Sequence, residues 1–239
     1  MKVTLCGYNW AGCRALDHLL SDGHDVNVFT HKSPEFVPSL YEYANSKKVP
    51  VTTQSINTCK DLPRSEFLCS VYYKYIIKED VLREFNYNAM NLHPSLLPKY
   101  RGCSSLTWAM INGDAEVGFT YHLIDKSCDT GNILLQKSLP TFSFENQSNL
   151  YSRVMFHALE SFTVAFNILV GGEQGTPQSG NASYYKRGAP YNGEINSKWE
   201  ESKIIRFINA MINPPLPYAT YKGKEIKNYE EYLKLRRRT

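Results

Sequence analysis

The sequence predicts an α/β protein, a sheet of short strands joined by helices in chain order. Three observations carry this. Short apolar runs alternate with segments of helical spacing over most of the chain. Gly, Asn and Asp punctuate the junctions between them. The chain has 239 residues, 42% apolar and 21% charged, enough for a sizeable core without cross-links.

The elements follow in order. Residues 3–6 form an apolar run ended by Gly7 and read as a first strand. Residues 11–20 place Leu16, Leu19 and Leu20 on one helical face. Residues 25–29 alternate as a second strand, and residues 38–47 read as a helix. A strand at 67–72, a short helix at 78–85 and a strand at 89–93 come next. Residues 106–111 read as a helix stopped by Asn112-Gly113, and 117–124 and 133–139 as extended strands. In residues 149–170, Tyr151, Met155, Ala158, Phe162, Phe166 and Leu169 recur at helical spacing. The expectation is one long amphipathic helix closed by Gly171-Gly172. Residues 171–180 then read as a linker or long loop, so the expected division is residues 1–175 and 176–239.

Composition excludes several classes. Lys and Arg number 27 against 23 Asp and Glu, a net +4 that does not point to nucleic acid. The dense basic run at 234–238 reads as a solvated, frayed tail. Six cysteines contain no CxxC pair and six histidines no HExxH. Reduced, mostly buried thiols, no zinc site and a cytoplasmic location are expected. The N-terminal MKVTLCGYNW has no signal-peptide pattern, and no apolar run approaches the roughly 20 residues of a membrane span.

The loop Gly7 to Gly12 follows a strand and opens a helix, but lacks both GxGxxG and the P-loop ending. A tight turn and a phosphate-proximal loop both remain open there. More informative is the run Met90-Asn-Leu-His-Pro-Ser-Leu-Leu-Pro-Lys-Tyr-Arg-Gly102. Asn91 and His93 share a strand face, and Pro94 ends the ladder. His93 therefore lies at a carboxyl strand end, where α/β sheets place ligands. An amide and an imidazole there suit acyl transfer, though a structural Asn and His beside a proline loop fit equally well. Asp129, in Asp129-Thr130-Gly131, falls in a turn between two strands within reach of His93. It would favour the protonated imidazole, or simply start a turn. An aspartic-protease reading of that tripeptide is discounted, because one copy occurs in a helix-rich chain.

The run NLHPSLLPKYRG, with Leu106-Thr-Trp-Ala-Met, Asn112-Gly-Asp, Gly118-Phe-Thr-Tyr-His-Leu-Ile-Asp and Cys128-Asp-Thr-Gly-Asn-Ile, resembles the formyltransferases that use 10-formyltetrahydrofolate. The resemblance spans residues 67–140. It implies a Rossmann-like catalytic domain with a catalytic trio of Asn91, His93 and Asp129. Asn91 and a protonated His93 would stabilise the oxyanion, with Asp129 favouring the imidazolium. It also implies a pterin site near Tyr75, Ile77 and Asp125. The tail, with Tyr184-Tyr-Lys-Arg-Gly-Ala-Pro-Tyr-Asn-Gly-Glu-Ile-Asn and Pro214-Pro-Leu-Pro-Tyr-Ala, is similar to bacterial sugar-nucleotide N-formyltransferases. That implies an acceptor amine on a dTDP-linked amino-dideoxy sugar, an O-antigen setting and a small C-terminal hairpin used for dimerisation. Trp10, Lys74 and Arg187 are the candidates for base and diphosphate. The tail departs from the family at Asn209-Ala210 and Pro217-Tyr218-Ala219. Methionyl-tRNA and glycinamide ribonucleotide formyltransferases, and an inactive binding module, are the alternatives. A homodimer is expected because Ile204, Ile205, Phe207, Ile208, Met211 and Ile212 need a surface to cover them.

Overall fold

The computed structural model describes residues 1–237. In chain order the strands and α-helices are β1 (Lys2–Gly7), α1 (Asn9–Ser21), β2 (Asp25–Phe29), α2 (Leu40–Ser46), β3 (Val51–Thr52), β4 (Phe67–Val71), α3 (Glu79–Glu84) and β5 (Ala89–His93). Next come β6 (Arg101–Gly102), α4 (Ser105–Asn112), β7 (Glu116–Leu123), β8 (Ile133–Pro140), α5 (Gln147–Glu160) and α6 (Phe162–Val170). The chain ends with β9 (Tyr184–Tyr185), α7 (Glu201–Ala210), β10 (Ala219–Tyr221), β11 (Lys224–Ile226) and α8 (Tyr229–Arg237).

The main sheet has the order β3-β2-β1-β4-β5-β7-β8. The pairs from β3 to β5 are parallel, and β5 pairs with β7 antiparallel. This is the Rossmann-like α/β arrangement the sequence predicts. Strand order reverses about β1, so the loops after β1 and β4 meet at the switch point where such sheets bind ligands. Gly7 and Gly12 lie on either side of that first loop. A Cβ on Gly12 would stand 2.8 Å from a methyl of Leu40, and one on Gly7 would stand 2.9 Å from it. Close packing of α1 thus accounts for both glycines, which favours the tight-turn reading of this loop.

Contacts divide the chain into two units, each interrupted in sequence. One holds Met1–His93, Phe119–Gln136 and Met155–Gly180; the other holds Pro94–Gly118, Lys137–Val154 and Asn181–Thr239. The first is built on the sheet, with Cys6, Phe29, Leu68, Leu82 and Phe85 in one of its apolar clusters. In the second, Ile204, Phe207 and Ile208 of α7 are buried with Ile111, Tyr221 and Tyr232. Met211 is 9% exposed, and only Ile205 and Ile212 of the expected apolar set stay half-buried. The tail's apolar groups thus find cover within their own chain. A hairpin of β10 and β11 forms, its turn made by Lys222 and Gly223, both at positive φ.

Several expectations need correction. The long helix at 149–170 breaks at Ser161 into α5 and α6, which are bent by 43°. Ser161 has a non-helical ψ of 1°, and its hydroxyl donates to the carbonyl of His157. Among the described residues no single helix is long and apolar enough to cross a membrane. The basic end does not fray: α8 carries it up to Arg237 and buries Tyr232, while Arg238 lies outside the described residues. The thiols are less buried than expected, with Cys6 and Cys69 buried and the other four half-exposed. Burial pushes the Cys6 and Cys69 thiols well above their ordinary range, and Cys13 up to about 11. Of the two readings of residues 171–180, the long loop holds and the loose linker does not. Thr176 bridges Ile133, and Gln178 is tied to the Asp129 loop.

Candidate active site

Strand alternation builds the site's floor. Leu92 points to the buried apolar side of β5, so Asn91 and His93 share the other face. Cross-strand register sets His122 of β7 opposite Asn91, and Thr120 opposite His93. On the other side, Ser70 of β4 is in register with Asn91. One face of β4, β5 and β7 therefore carries only polar side chains at these positions. Its back face carries Cys69, Val71, Phe119 and Tyr121, all buried. His93 is the last residue of β5, and Pro94 has no N–H with which to continue it.

Asp129 reaches this face from the loop between β7 and β8. Its backbone has φ +56°, a left-handed conformation that an Asp tolerates better than most residues. Three ties hold the loop. The Thr130 hydroxyl meets both Asp125 carboxylate oxygens at 2.7 and 2.8 Å. The Ser127 N–H donates to Asp125 at 3.0 Å. The Gln178 amide donates to the carbonyls of Asp129 and Gly131 at 2.9 and 2.8 Å. Gly131 is required because a Cβ there would collide with the Leu123 carbonyl.

The loop leaves the Asp129 carboxylate between two imidazoles. His93 Nδ1 is 3.6 Å from Oδ2, and His122 Nε2 is 3.5 Å from Oδ1. The three side chains are 6%, 3% and 11% exposed for His93, His122 and Asp129. Asn91 Nδ2 stands 3.2 Å from His122 Nε2. A carboxylate so little hydrated stabilises positive charge on the His93 imidazole when that ring is protonated. An amide N–H and an imidazole N–H at one strand end can both donate to a developing oxyanion.

The predicted trio is thus brought together. His122 was not singled out from the sequence. The sequence signal is partial: His122 is a polar residue in an alternating apolar strand, but its place beside Asn91 comes from register. Ser70, Tyr75, Ile76, Ile77, Asn91, His122, Asp125, Ser127, Cys128 and Asp129 line one cleft beside this cluster. Tyr75 and Ile76 are exposed, whereas Ile77 turns into the apolar core. Asn57 holds this segment by donating to the Ile76 carbonyl and accepting from the Lys78 N–H. The Asp125 carboxylate lines the cleft while bonded to Thr130 and Ser127.

The remaining candidates are dispersed. Lys74 is exposed, with its ammonium 4.7 Å from the Tyr75 ring centroid. Trp10 is half-buried in the first turn of α1. Tyr8, His31, Tyr73 and Tyr75 form an aromatic group on the loops after β1, β2 and β4, with Tyr8 stacked 3.9 Å from His31. Arg187 belongs to the second unit and is exposed. Nearby in sequence, Tyr185 stacks on Trp108 at 4.5 Å and Tyr221 is buried, so these two tail aromatics pack.

Residues 11–165 match the family described as Formyl transferase. The GDP-perosamine N-formyltransferase of Brucella melitensis is 32% identical over 229 residues, covering 92% of this chain and 88% of that protein. The bifunctional polymyxin resistance protein ArnA of Wigglesworthia glossinidia brevipalpis is 29% identical over 228 residues, 90% of this chain and 35% of its own. In fold, the chain is similar to the sugar 3N-formyl transferase WlaRD, solved with dTDP and 5-N-formyl-THF. The TM-score is 0.82 and the identity 23%, over 95% of this chain and 85% of that one. An N-formyltransferase from Helicobacter canadensis gives the same TM-score of 0.82, over 95% of this chain and 87% of its own. With the family match spanning well over half its length, and a polar strand-end site of the kind acyl transfer needs, the chain belongs to the formyl transferase family.

Proposed function

We propose that this chain transfers a formyl group from 10-formyltetrahydrofolate to the amine of a nucleotide-linked amino-dideoxy sugar. The favoured acceptor is dTDP-4-amino-4,6-dideoxyglucose or its 3-amino analogue. The observation that supports it most is the Asn91, His93 and Asp129 cluster at the end of β5, in a chain of this family. The cleft beside it suits a flat, hydrogen-bonding ring. It combines the exposed Tyr75 ring, the main chain up to Ile77 and the loop from Asp125 to Asp129. When bound there, the folate supplies the formyl group.

The chain's own residues do the rest. Asn91 donates an N–H to the formyl oxygen as negative charge develops on it. His93, protonated, donates beside it, and Asp129 stabilises that charge on the imidazole. Asp129 or a water takes the proton that leaves the attacking amine and would pass one to the donor nitrogen as its bond to the formyl carbon breaks. Trp10, Lys74 and Arg187 are assigned to the base and diphosphate, whose binding energy places the sugar amine. Residues 1–175 serve as the catalytic domain and 176–239 as the extension. The enzyme works as a homodimer, a reading that rests on the tail's resemblance to the sugar-nucleotide N-formyltransferases.

A second reading has a specific observation behind it. The Brucella relative is a GDP-perosamine N-formyltransferase, so a guanosine diphosphate sugar is the competing acceptor. The test is a transfer assay with dTDP-linked, GDP-linked and free amino sugars, glycinamide ribonucleotide and methionyl-tRNA. The expected result is transfer to a dTDP-linked sugar well above transfer to its free sugar. A preference for the GDP-linked sugar moves the reading to the second form. Transfer only to tRNA or glycinamide ribonucleotide, or none at all, overturns both.

A further inference from the structure

His122 has a defined proton arrangement. Its Nδ1 lies 2.8 Å from the carbonyl oxygen of Leu123. A carbonyl can only accept, so Nδ1 carries a proton. In an Nδ1–H tautomer Nε2 is an acceptor, and the Asn91 amide nitrogen lies 3.2 Å from it. Asp129 Oδ1 is farther, at 3.5 Å. Turning the amide by half a revolution would set its oxygen against the Nε2 lone pair. His122 is 2% exposed, so no bulk water relieves such a clash.

We propose that His122 is a positioning residue for formyl transfer. As the Nδ1–H tautomer it takes one N–H of Asn91 and so fixes the amide plane, leaving the second N–H for the formyl oxygen. This rests on the role proposed above for Asn91. The sheet supplies the rigidity: His122 and Asn91 are register partners on two hydrogen-bonded strands. A preorganised donor needs no reorientation as charge develops, which is where such a donor acts on rate rather than on binding.

The test is a double-variant cycle with a spectroscopic arm. His122→Phe removes the acceptor and is expected to lower kcat about 10²-fold, approaching the loss of an oxyanion donor. The KM values should change little, since the contact is made at the transition state. The Asn91→Ala, His122→Phe pair should be no slower than Asn91→Ala alone within about threefold, because both remove one device. His122→Gln, whose side-chain oxygen reaches the Nε2 position, should recover most of the rate. If His122→Phe does not fold, His122→Asn replaces it, keeping the donor to Leu123 but lacking that reach. Losses that multiply, or a His122→Gln variant as slow as His122→Phe, overturn the proposal. Nitrogen-15 NMR of the free protein at pH 8 reads the ring directly. A protonated Nδ1 and bare Nε2 are expected for His122, and the opposite tautomer or a doubly protonated ring overturns the proposal whatever the acceptor is. A wild-type protein that formylates none of the acceptors sinks the function reading instead, while the ring nitrogens still decide the state of His122.

Discussion

The polar cluster of Asn91, His93, His122 and Asp129 and the apolar cluster around Phe207 are both shielded from water, and they cohere by different means. The apolar cluster needs only shape and area. Phe207, Ile208 and Tyr232 gain from leaving water, and many arrangements of similar volume would serve. The polar cluster needs each atom in place, because an unpaired buried polar group costs about 1–3 kcal/mol. Strand register supplies that placement for Asn91 and His122, and a tied loop supplies it for Asp129. On the proposed function, one region carries stability and the other chemistry. Substitutions should separate the two.

The largest effect is expected at His93. His93→Ala should fold, lose no more than about 1–3 kcal/mol of stability from the contact it removes, and lose about 10²- to 10⁴-fold in formyl transfer. A fall in melting temperature with near-normal turnover would reverse the roles given to the two clusters. Phe207→Ala should do the opposite. It is fully buried, so its loss should cost about 3–5 kcal/mol in urea unfolding. Turnover per folded molecule should hold at low temperature. Asn91→Ala comes next, with about a 10²- to 10³-fold loss in kcat and a stability loss of about 1–3 kcal/mol, smaller than that of Phe207→Ala.

Much of this contrast could be read from residue order. Asn91 and His93 announce themselves because a two-residue spacing on a strand puts both on one face, and Pro94 marks the end of the ladder. The sheet strands were legible for a similar reason, since apolar runs broken by Gly or Asn have few other solutions. The break at Ser161 was not. Helical periodicity continues across it, and only the hydroxyl's bond to the His157 carbonyl and the change of ψ reveal the bend. His122 was hidden by its pairing partner: its role depends on register with Asn91, and register between distant strands is not local information. The tail misled differently. Its apolar spacing correctly says that something must cover α7, but spacing cannot say whether the cover is another chain or, as found, Ile111, Tyr221 and Tyr232 of its own.

The smallest expected effect sharpens the comparison most, because it concerns a residue that belongs to neither cluster. Gln178 comes from the segment that read as a linker, yet its amide spans the Asp129 and Gly131 carbonyls. These are neutral bonds at a half-exposed position, each worth about 0.5–1.5 kcal/mol at most, so global stability should move little on Gln178→Ala. Their geometric leverage is larger, since they clasp the backbone of a residue held at positive φ. Asp125 with Thr130 is the other tie on this loop, and it should keep the turn closed. About 1 kcal/mol of lost restraint then corresponds to roughly a fivefold fall in kcat, with acceptor KM nearly unchanged. Gln178→Glu should be worse than Gln178→Ala, because a carboxylate would face two carbonyl oxygens with no proton to offer. Steady-state kinetics of the two variants, alongside urea unfolding, check this. Equal rates for Gln178→Ala and wild type would show that the loop positions Asp129 without Gln178.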